Sequence, residues 1–394
     1  MNDIYIDSDQ KLADFCAQAS TAEYCAVDTE FVREKTYYPV LALVQIATEQ
    51  CMGCIDPLAL SDFAPLKTLM QQTSLVKVFH SPSQDLEILF QTFGLAPAPV
   101  FDTQLAAAVL GYGHQISYAD LVFKITQVQL KKKHTRANWV RRPLSAAELD
   151  YAMDDVRYLI PVYRHLLCEL QANNRSAWIA KELQAMSAES NYQVDTLNLW
   201  KRLKGVQKLK GVQLQIASLL SQWRETLAQN KNLPRRWIIK DELIIDIAQL
   251  KPASAPELAS IQGVSDRFIE QHATTIIALV EKAQATEADD WPRHDTVKAM
   301  ASNEQAIGDC LMALCRQIAA KNNIALASLA TRKDIDALIL DRNNSQLSQG
   351  WRFEAAGKQL LDFINGQSQI AVRAGELSAE YHPSSLQQSR ENAI

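Results

Sequence analysis

Three apolar, β-branched runs follow one another near the start of the chain, YCAVDTEF (24–31), LALVQIAT (41–48) and MGCIDP (52–57), and their spacing predicts a short antiparallel meander. Beyond them the period changes. A helical stretch at 61–72, a strand at 74–80, a helix from Ser83 to Phe93, the short strand PVFDTQ and the helix LAAAVLG alternate as β-α units do. SYADLVFKIT predicts one more helix, and the QLKKKHTRANWVRRPLS that follows is too basic and aperiodic for a core element. Ser145, with Glu148 three residues later, makes a capping box that opens one long amphipathic helix through Tyr151, Val156 and Leu159 to Leu170. Residues 1–170 thus read as an α/β domain, a mixed sheet flanked by helices.

The second half holds no strand signal except WIIK (237–240), and its pattern is helical throughout. It divides into a helical connector (171–208), a first all-α module (209–288) and a second, more divergent one (296–375). The acidic, proline-broken ADDWPRHD (288–295) reads as the linker between them. Residues 376–394 read as a tail, frayed from Pro383 onward.

Composition narrows the class. With 394 residues, 47% hydrophobic and only 12 glycines and 13 prolines, the chain is neither disordered nor fibrous and is long enough for two or three domains with real cores. MNDIYIDSDQ lacks an apolar signal region and no run is long enough to span a bilayer, so a cytoplasmic location with no membrane partner is expected. Seven cysteines, an odd number, suit reduced thiols. Cys51 and Cys54 in CMGC have redox or zinc spacing, but no second Cys or His pair follows, and they read as strand or turn residues.

Four acids and one tyrosine stand out. In an extended strand Asp28 and Glu30 share a face while Thr29 points the other way, so two like charges sit side by side at the end of a buried run. Either a cation lies between them or one carries a raised pKa. Asp85 falls near the start of a helix directly after a strand, where the helix dipole also favours a carboxylate. Tyr151 and Asp155, four residues apart, share one helix face, whereas Asp154 turns about 100° away toward solvent. Each has a purely structural account when taken alone: a strand ending in a solvated turn, a first-turn Asp, a core Tyr with a surface acid.

Together the segments DTEF, HSPSQDLEIL, FDTQLAAAVLGYG and YAMDDVRYL resemble the DEDD superfamily of 3′–5′ exonucleases, in the subgroup whose third motif is Tyr-x-x-x-Asp. All five motif positions match. The resemblance implies a ribonuclease H-like α/β exonuclease domain that uses two divalent ions, Mg²⁺ or Mn²⁺. Asp28, Glu30 and Asp155 would hold one ion, Asp28 would bridge to the second, and Asp85 would steady that second ion through water. Tyr151, with Glu30, would orient the attacking water. Relatives remove nucleotides one at a time from 3′ ends as 5′-monophosphates, which implies an RNA partner with a free 3′ end, precursor tRNA among the candidates, and a monomeric enzyme. A proofreading-type DNA exonuclease and a non-catalytic RNA-binding scaffold remain the alternatives.

The segment from LLSQWRETLAQ to HATTII resembles the HRDC helical module shared with RecQ-type helicases, carried by Trp223, Arg224, Pro234, Asp241, Leu243, Pro252, Leu258, Ile261 and Gly263; His272 departs from the expected small residue. Residues 297–372, with GWRFEAAGKQLLDFING, resemble a second copy, so two all-α HRDC-like domains follow the exonuclease domain. Although the net charge is −5, the basic residues between Leu199 and Lys240 face only Glu225 in opposition. This stripe reads either as a solvated helix face or as an RNA-tracking arm that includes Lys201, Arg202, Lys204, Lys208, Lys210, Arg235 and Arg236.

Overall fold

The structure, a computed structural model, describes residues 3–130, 137–295, 299–373 and 375–381. Most of the basic run at 131–136 and the tail from Pro383 lie outside the described residues. The chain forms two compact units, one made of the described residues of 1–30, 41–191 and 298–394, the other of 31–40 and 192–297.

The first unit is built on a six-stranded sheet of β1 (Asp3–Ile6), β2 (Tyr24–Val32), β3 (Val40–Ala47), β4 (Met52–Ile55), β5 (Val76–Phe79) and β6 (Val100–Asp102), in the order β1-β4-β3-β2-β5-β6. The sheet is mixed: β3 runs antiparallel to β4, while β1 with β4, β2 with β5 and β5 with β6 are parallel. Around it lie α1 (Asp9–Ala19), α2 (Ala64–Gln71), α3 (Ser83–Phe93), α4 (Thr103–Val109), α5 (Tyr118–Thr126), α6 (Ala146–Arg157), α7 (Leu159–Ala172) and α8 (Ser176–Met186). The three predicted strand runs are β2, β3 and β4, and Cys51 and Cys54 are buried thiols at and in β4. All seven cysteines are thiols. The edge strand β1 and helix α1 had no counterpart in the pattern reading; for β1 the reason is that a four-residue strand offers too few alternations to register.

The capping box forms as expected: the Ser145 hydroxyl accepts from Glu148 N–H, and the Glu148 carboxylate accepts from Ser145 N–H at 2.7 Å. The single long helix does not. It breaks at Tyr158 into α6 and α7, because Pro161 has no N–H for the carbonyl four residues back and its ring crowds that carbonyl.

The second unit carries α9 (Val212–Lys231), α10 (Arg235–Ile238), α11 (Asp241–Leu250), α12 (Ala255–Ala259) and α13 (Asp266–Ala285). The WIIK strand signal is therefore wrong: Arg235 to Ile238 form a short helix after Pro234, and only Ile239 is extended and buried. Its core joins Leu214, Ile216, Ile244, Ile247, Leu258 and Ile276 with Trp200, Leu203 and Val206 from the segment read as a connector. Within the same unit the 31–40 segment is held by Tyr37, whose hydroxyl donates to Glu225, and by Asn232 Oδ1, which accepts from Tyr37 N–H and Tyr38 N–H at 3.1 and 3.0 Å.

The last module, α14 (Ser302–Lys321), α15 (Leu326–Leu329), α16 (Arg332–Leu340), α17 (Gly350–Arg352), a π turn over Phe353–Gly357 and α18 (Lys358–Ile364), belongs to the first unit. Leu311, Cys315, Leu329, Leu338 and Trp351 share one continuous core with Ala26, Val78, Leu159 and Leu166 of the sheet domain. Trp351 stacks on Trp178 of α8 with ring centroids 5.4 Å apart. The module is not purely helical. It ends in an antiparallel hairpin, β7 (Ser368–Arg373) with β8 (Glu376–Tyr381), so the first residues read as tail form a strand. Ile370 and Val372 alternating opposite Leu377 and Ala379, around Gly375 at φ +82°, are the signal that the helical reading overlooked.

Candidate active site

β2 enters the core through Cys25, Ala26 and Val27, all fully buried, and then presents Asp28 and Glu30 from one face. From α6 comes Asp155. One carboxylate oxygen from each of Asp28, Glu30 and Asp155 lies within 4.8 Å of the others. Burial pushes the Asp28 carboxyl well up, and the charges of Asp85, Asp155 and Glu30 push it further. Glu30 is pushed up to about 8 by burial and then by Asp155 and Asp85. Asp155 is pushed up to about 7 by burial and by its neighbour Asp154.

The fourth acid, Asp85, lies in the first turn of α3, where it is 9% exposed. Burial raises its carboxyl to about 6, against hydrogen bonds that favour the charged form, the Thr29 hydroxyl foremost. That hydroxyl donates to Asp85 Oδ1 at 2.5 Å. Thr29, assigned by alternation to the opposite face, is therefore part of the site's wiring.

Tyr151 lies one turn before Asp155 on α6. Its hydroxyl is raised first by burial and then by the charges of Asp155, Glu30 and Asp28, so it stays protonated at neutral pH. The Trp139 ring is offset-stacked on it, centroids 6.3 Å apart and planes at 28°. Asp154 does not project into solvent as expected. It is half-buried and paired with Arg157, and its carbonyl accepts from the Tyr118 hydroxyl at 2.9 Å. The Tyr118 ring meets His80 at 5.6 Å. His80 Nε2 donates to the Ile116 carbonyl at 3.0 Å, and burial lowers its pKa to about 4, so this imidazole is neutral. Trp139, Tyr118 and His80 were not singled out from the sequence, since nothing in local spacing links them to the acids.

Three clustered carboxylates with a fourth close by form a donor set of hard oxygens, suited to a divalent cation of the Mg²⁺ or Mn²⁺ kind. Burial pushes these carboxyls up first, and at Asp28 and Glu30 the charges of the other acids add to it; a bound cation offsets both.

The basic stripe is less uniform than its sequence. Arg224 is 7% exposed and bonded to Asp241 at 2.6 Å, and Arg235 grips Glu225 at 2.5 and 2.6 Å. Lys201 contacts Asp295 at 3.1 Å. Lys201, Arg202, Lys204, Lys208, Lys210 and Arg236 are exposed. Three acids besides Glu225 thus oppose the stripe: Asp241, Asp295 and, 3.7 Å from Arg236, Glu242.

The family model for 3′–5′ exonucleases matches residues 4–171, and that for the HRDC domain matches residues 213–280. Fold and site together define a 3′–5′ exonuclease with a helical HRDC region. The chain is 37% identical to ribonuclease D of Sphingobium indicum over 94% of this chain and 97% of that protein, and 36% identical to ribonuclease D of Jannaschia sp. over 93% and 97%. The crystal structure of Escherichia coli RNase D, described as an exoribonuclease involved in structured RNA processing, superposes with a TM-score of 0.82 at 31% identity, covering 94% of this chain and all of that one. The chain belongs to the ribonuclease D family and is a 3′–5′ exoribonuclease. The family's exonuclease class uses divalent metal ions. Among the described residues no helix is long and apolar enough to cross a membrane.

Proposed function

We propose that the enzyme removes nucleotides one at a time from free 3′ ends of precursor tRNA and other structured RNAs, releasing 5′-mononucleotides, with two Mg²⁺ or Mn²⁺ ions between its carboxylates. The observation that carries this reading is the convergence of Asp28, Glu30 and Asp155 within 4.8 Å. Asp28, Glu30 and Asp155 would hold the metal, with Asp85 beside them as the fourth carboxylate of the donor set. When bound, such ions supply an activated water and stabilise the leaving 3′-oxygen. Tyr151, kept protonated by burial and by the acids around it, orients that water together with Glu30 and does not remove its proton.

An acid-lined centre repels phosphates, so affinity for the RNA body comes from cations elsewhere. Lys201, Arg202, Lys204, Lys208, Lys210 and Arg236 are the first candidates. Arg235, committed to Glu225, serves the module's architecture more than the ligand. Beside them the first HRDC module has a cavity of about 400 Å³ lined by Lys231, Arg236, Lys240 and Arg267 around Trp237. Trp237 is 61% exposed, which suits a base-stacking surface among phosphate-binding cations.

The test is digestion of 5′-end-labelled RNA and a matched DNA in Mg²⁺, in Mn²⁺ and in EDTA. The reading predicts a ladder shortening by single nucleotides on RNA with either metal and none in EDTA. Equal cutting of DNA redirects the assignment to a DNA exonuclease, and RNA binding without cutting redirects it to a scaffold.

A further inference from the structure

The segment WVRRP (139–143), whose charges argued against a core role, is anchored to the sheet domain through two of its side chains, Trp139 and Arg142. Trp139 is 4% exposed, and its ring covers Tyr151. Next to it, Arg142 uses all five guanidinium N–H donors. Nε and Nη2 form a fork on Asp56, 2.6 Å to each carboxylate oxygen. Nη2 also donates to the Ala42 carbonyl at 2.7 Å, while Nη1 donates to the carbonyls of Trp139 and Arg141 at 2.6 and 2.9 Å.

The anchor itself is buried and hydrogen-bonded on its other side. Asp56, 2% exposed, directly follows β4, and it also accepts from the Tyr5 hydroxyl and from Leu58 N–H at 3.0 Å. One side chain thus bolts the carbonyl of Trp139 to two strands of the sheet, β3 through Ala42 and the end of β4 through Asp56. Arg141 works on the other side, meeting Glu148 of the α6 cap at 3.1 Å.

We propose that Arg142 and Trp139 are positioning residues for hydrolysis, acting through Tyr151: the Asp56–Arg142 fork fixes the Trp139 ring, and that ring holds the Tyr151 hydroxyl in its working orientation toward the carboxylates. The proposal rests on the reading of Tyr151 as the residue that orients the attacking water. The physical reason is preorganisation. A tyrosine ring pivoting on two torsions samples several directions unless one face is packed, and a displacement of about 1 Å at a positioned group costs up to about 10²-fold in rate. A lysine at 142 retains charge but has neither the planar fork nor five donors, so it cannot hold Asp56 and three carbonyls at once.

The test is a double-mutant cycle on the full-length enzyme with single-stranded RNA in Mg²⁺. The kcat and KM of Trp139→Leu and Arg142→Lys are measured alone and combined with Tyr151→Phe, with melting curves recorded for each protein. The expected result for each single variant is a kcat lowered about 10- to 100-fold with KM little changed. In the Tyr151→Phe background neither substitution lowers kcat further, and Trp139→Phe, which keeps an aromatic plate, loses less than Trp139→Leu. If Trp139→Leu does not fold, Arg142→Lys and Trp139→Phe complete the cycle. Equal losses in both backgrounds, or losses that appear in KM, overturn the proposal while leaving the role of Tyr151 intact. A Tyr151→Phe enzyme running at the wild-type rate overturns that role and the proposal with it.

Discussion

Thr29 donates its hydroxyl to Asp85 Oδ1 at 2.5 Å, joining the residue between the two strand acids to the fourth acid on α3. Asp85 already sits near 6 because it is buried, and the Thr29 bond is the first of the interactions that lower it. Thr29→Val keeps the volume and removes the donor, so the Asp85 carboxyl rises further and holds its proton against a metal. At pH 7 the apparent Mg²⁺ affinity, read from activity against Mg²⁺ concentration, should fall about tenfold, the loss expected of a hydrogen bond to a charged group. The deficit should shrink at pH 9, where the proton leaves regardless.

Stability in the absence of metal should depend on pH through the same cluster. Glu30 at about 8 and Asp155 at about 7 lie above the ordinary 4.5 and 3.8, so the folded protein binds more protons than the unfolded chain between those limits. Stability is fully present below the ordinary values and is lost as pH rises through 7 and 8. In EDTA the wild type should therefore melt lower at pH 8.5 than at pH 6, by about 2–4 °C per kcal/mol lost. Glu30→Gln should flatten the slope, and Mg²⁺ should raise the melting temperature more at pH 8.5 than at pH 6. Equal Mg²⁺ effects at both pH values would contradict the cluster's role as the metal site.

Lys77 is fully buried with no carboxylate partner among the described residues. Its ammonium donates to the carbonyls of Gln72, Leu75 and Ala98 at 2.7, 2.8 and 2.5 Å, joining the segment before β5 to the one before β6. Lys77→Met fits the space but leaves the carbonyls of Gln72, Leu75 and Ala98 without that donor. Urea unfolding should show a loss of about 3 kcal/mol or more.

The RNA-arm reading predicts a change in salt dependence. Cutting the chain near residue 198 would be a poor test, because Leu311, Leu329 and Trp351 complete the core of the catalytic unit. Instead, Lys231, Arg236, Lys240 and Arg267 are changed together to Gln in the full chain. If each neutralises a phosphate, the log–log slope of affinity against salt for single-stranded RNA should flatten by about 0.7 for each phosphate no longer neutralised. Trp237→Ala should weaken binding by about 1–3 kcal/mol without altering that slope. Unchanged slope and affinity would leave these cations as a solvated surface.

Much of the candidate site was legible because its logic is local. Asp28 and Glu30 share a strand face, Tyr151 and Asp155 share a helix face, and Ser145 with Glu148 marks where that helix begins. What escaped was set by distant partners. Arg142 looked like surface charge because the Asp56 that neutralises it lies 86 residues away. Thr29 looked irrelevant because strand alternation says nothing about a helix packed at its end. Pro161 carries the signal for the break at Tyr158, which the sequence reading of one continuous apolar stripe did not use. The closing module read as a separate domain, yet it shares a core with the sheet, since an apolar helix face does not reveal what covers it.

The most direct test of the central claim is the fate of 5′-end-labelled RNA with wild type and Asp28→Asn in Mg²⁺, with RNA binding measured in parallel. Asp28 is the carboxylate most crowded by the others, with Asp85, Asp155 and Glu30 all acting on it. The account predicts stepwise shortening from the 3′ end by wild type, no shortening by Asp28→Asn, and similar RNA affinity for both. Wild-type cleavage by Asp28→Asn, or cleavage by wild type in EDTA, would contradict it.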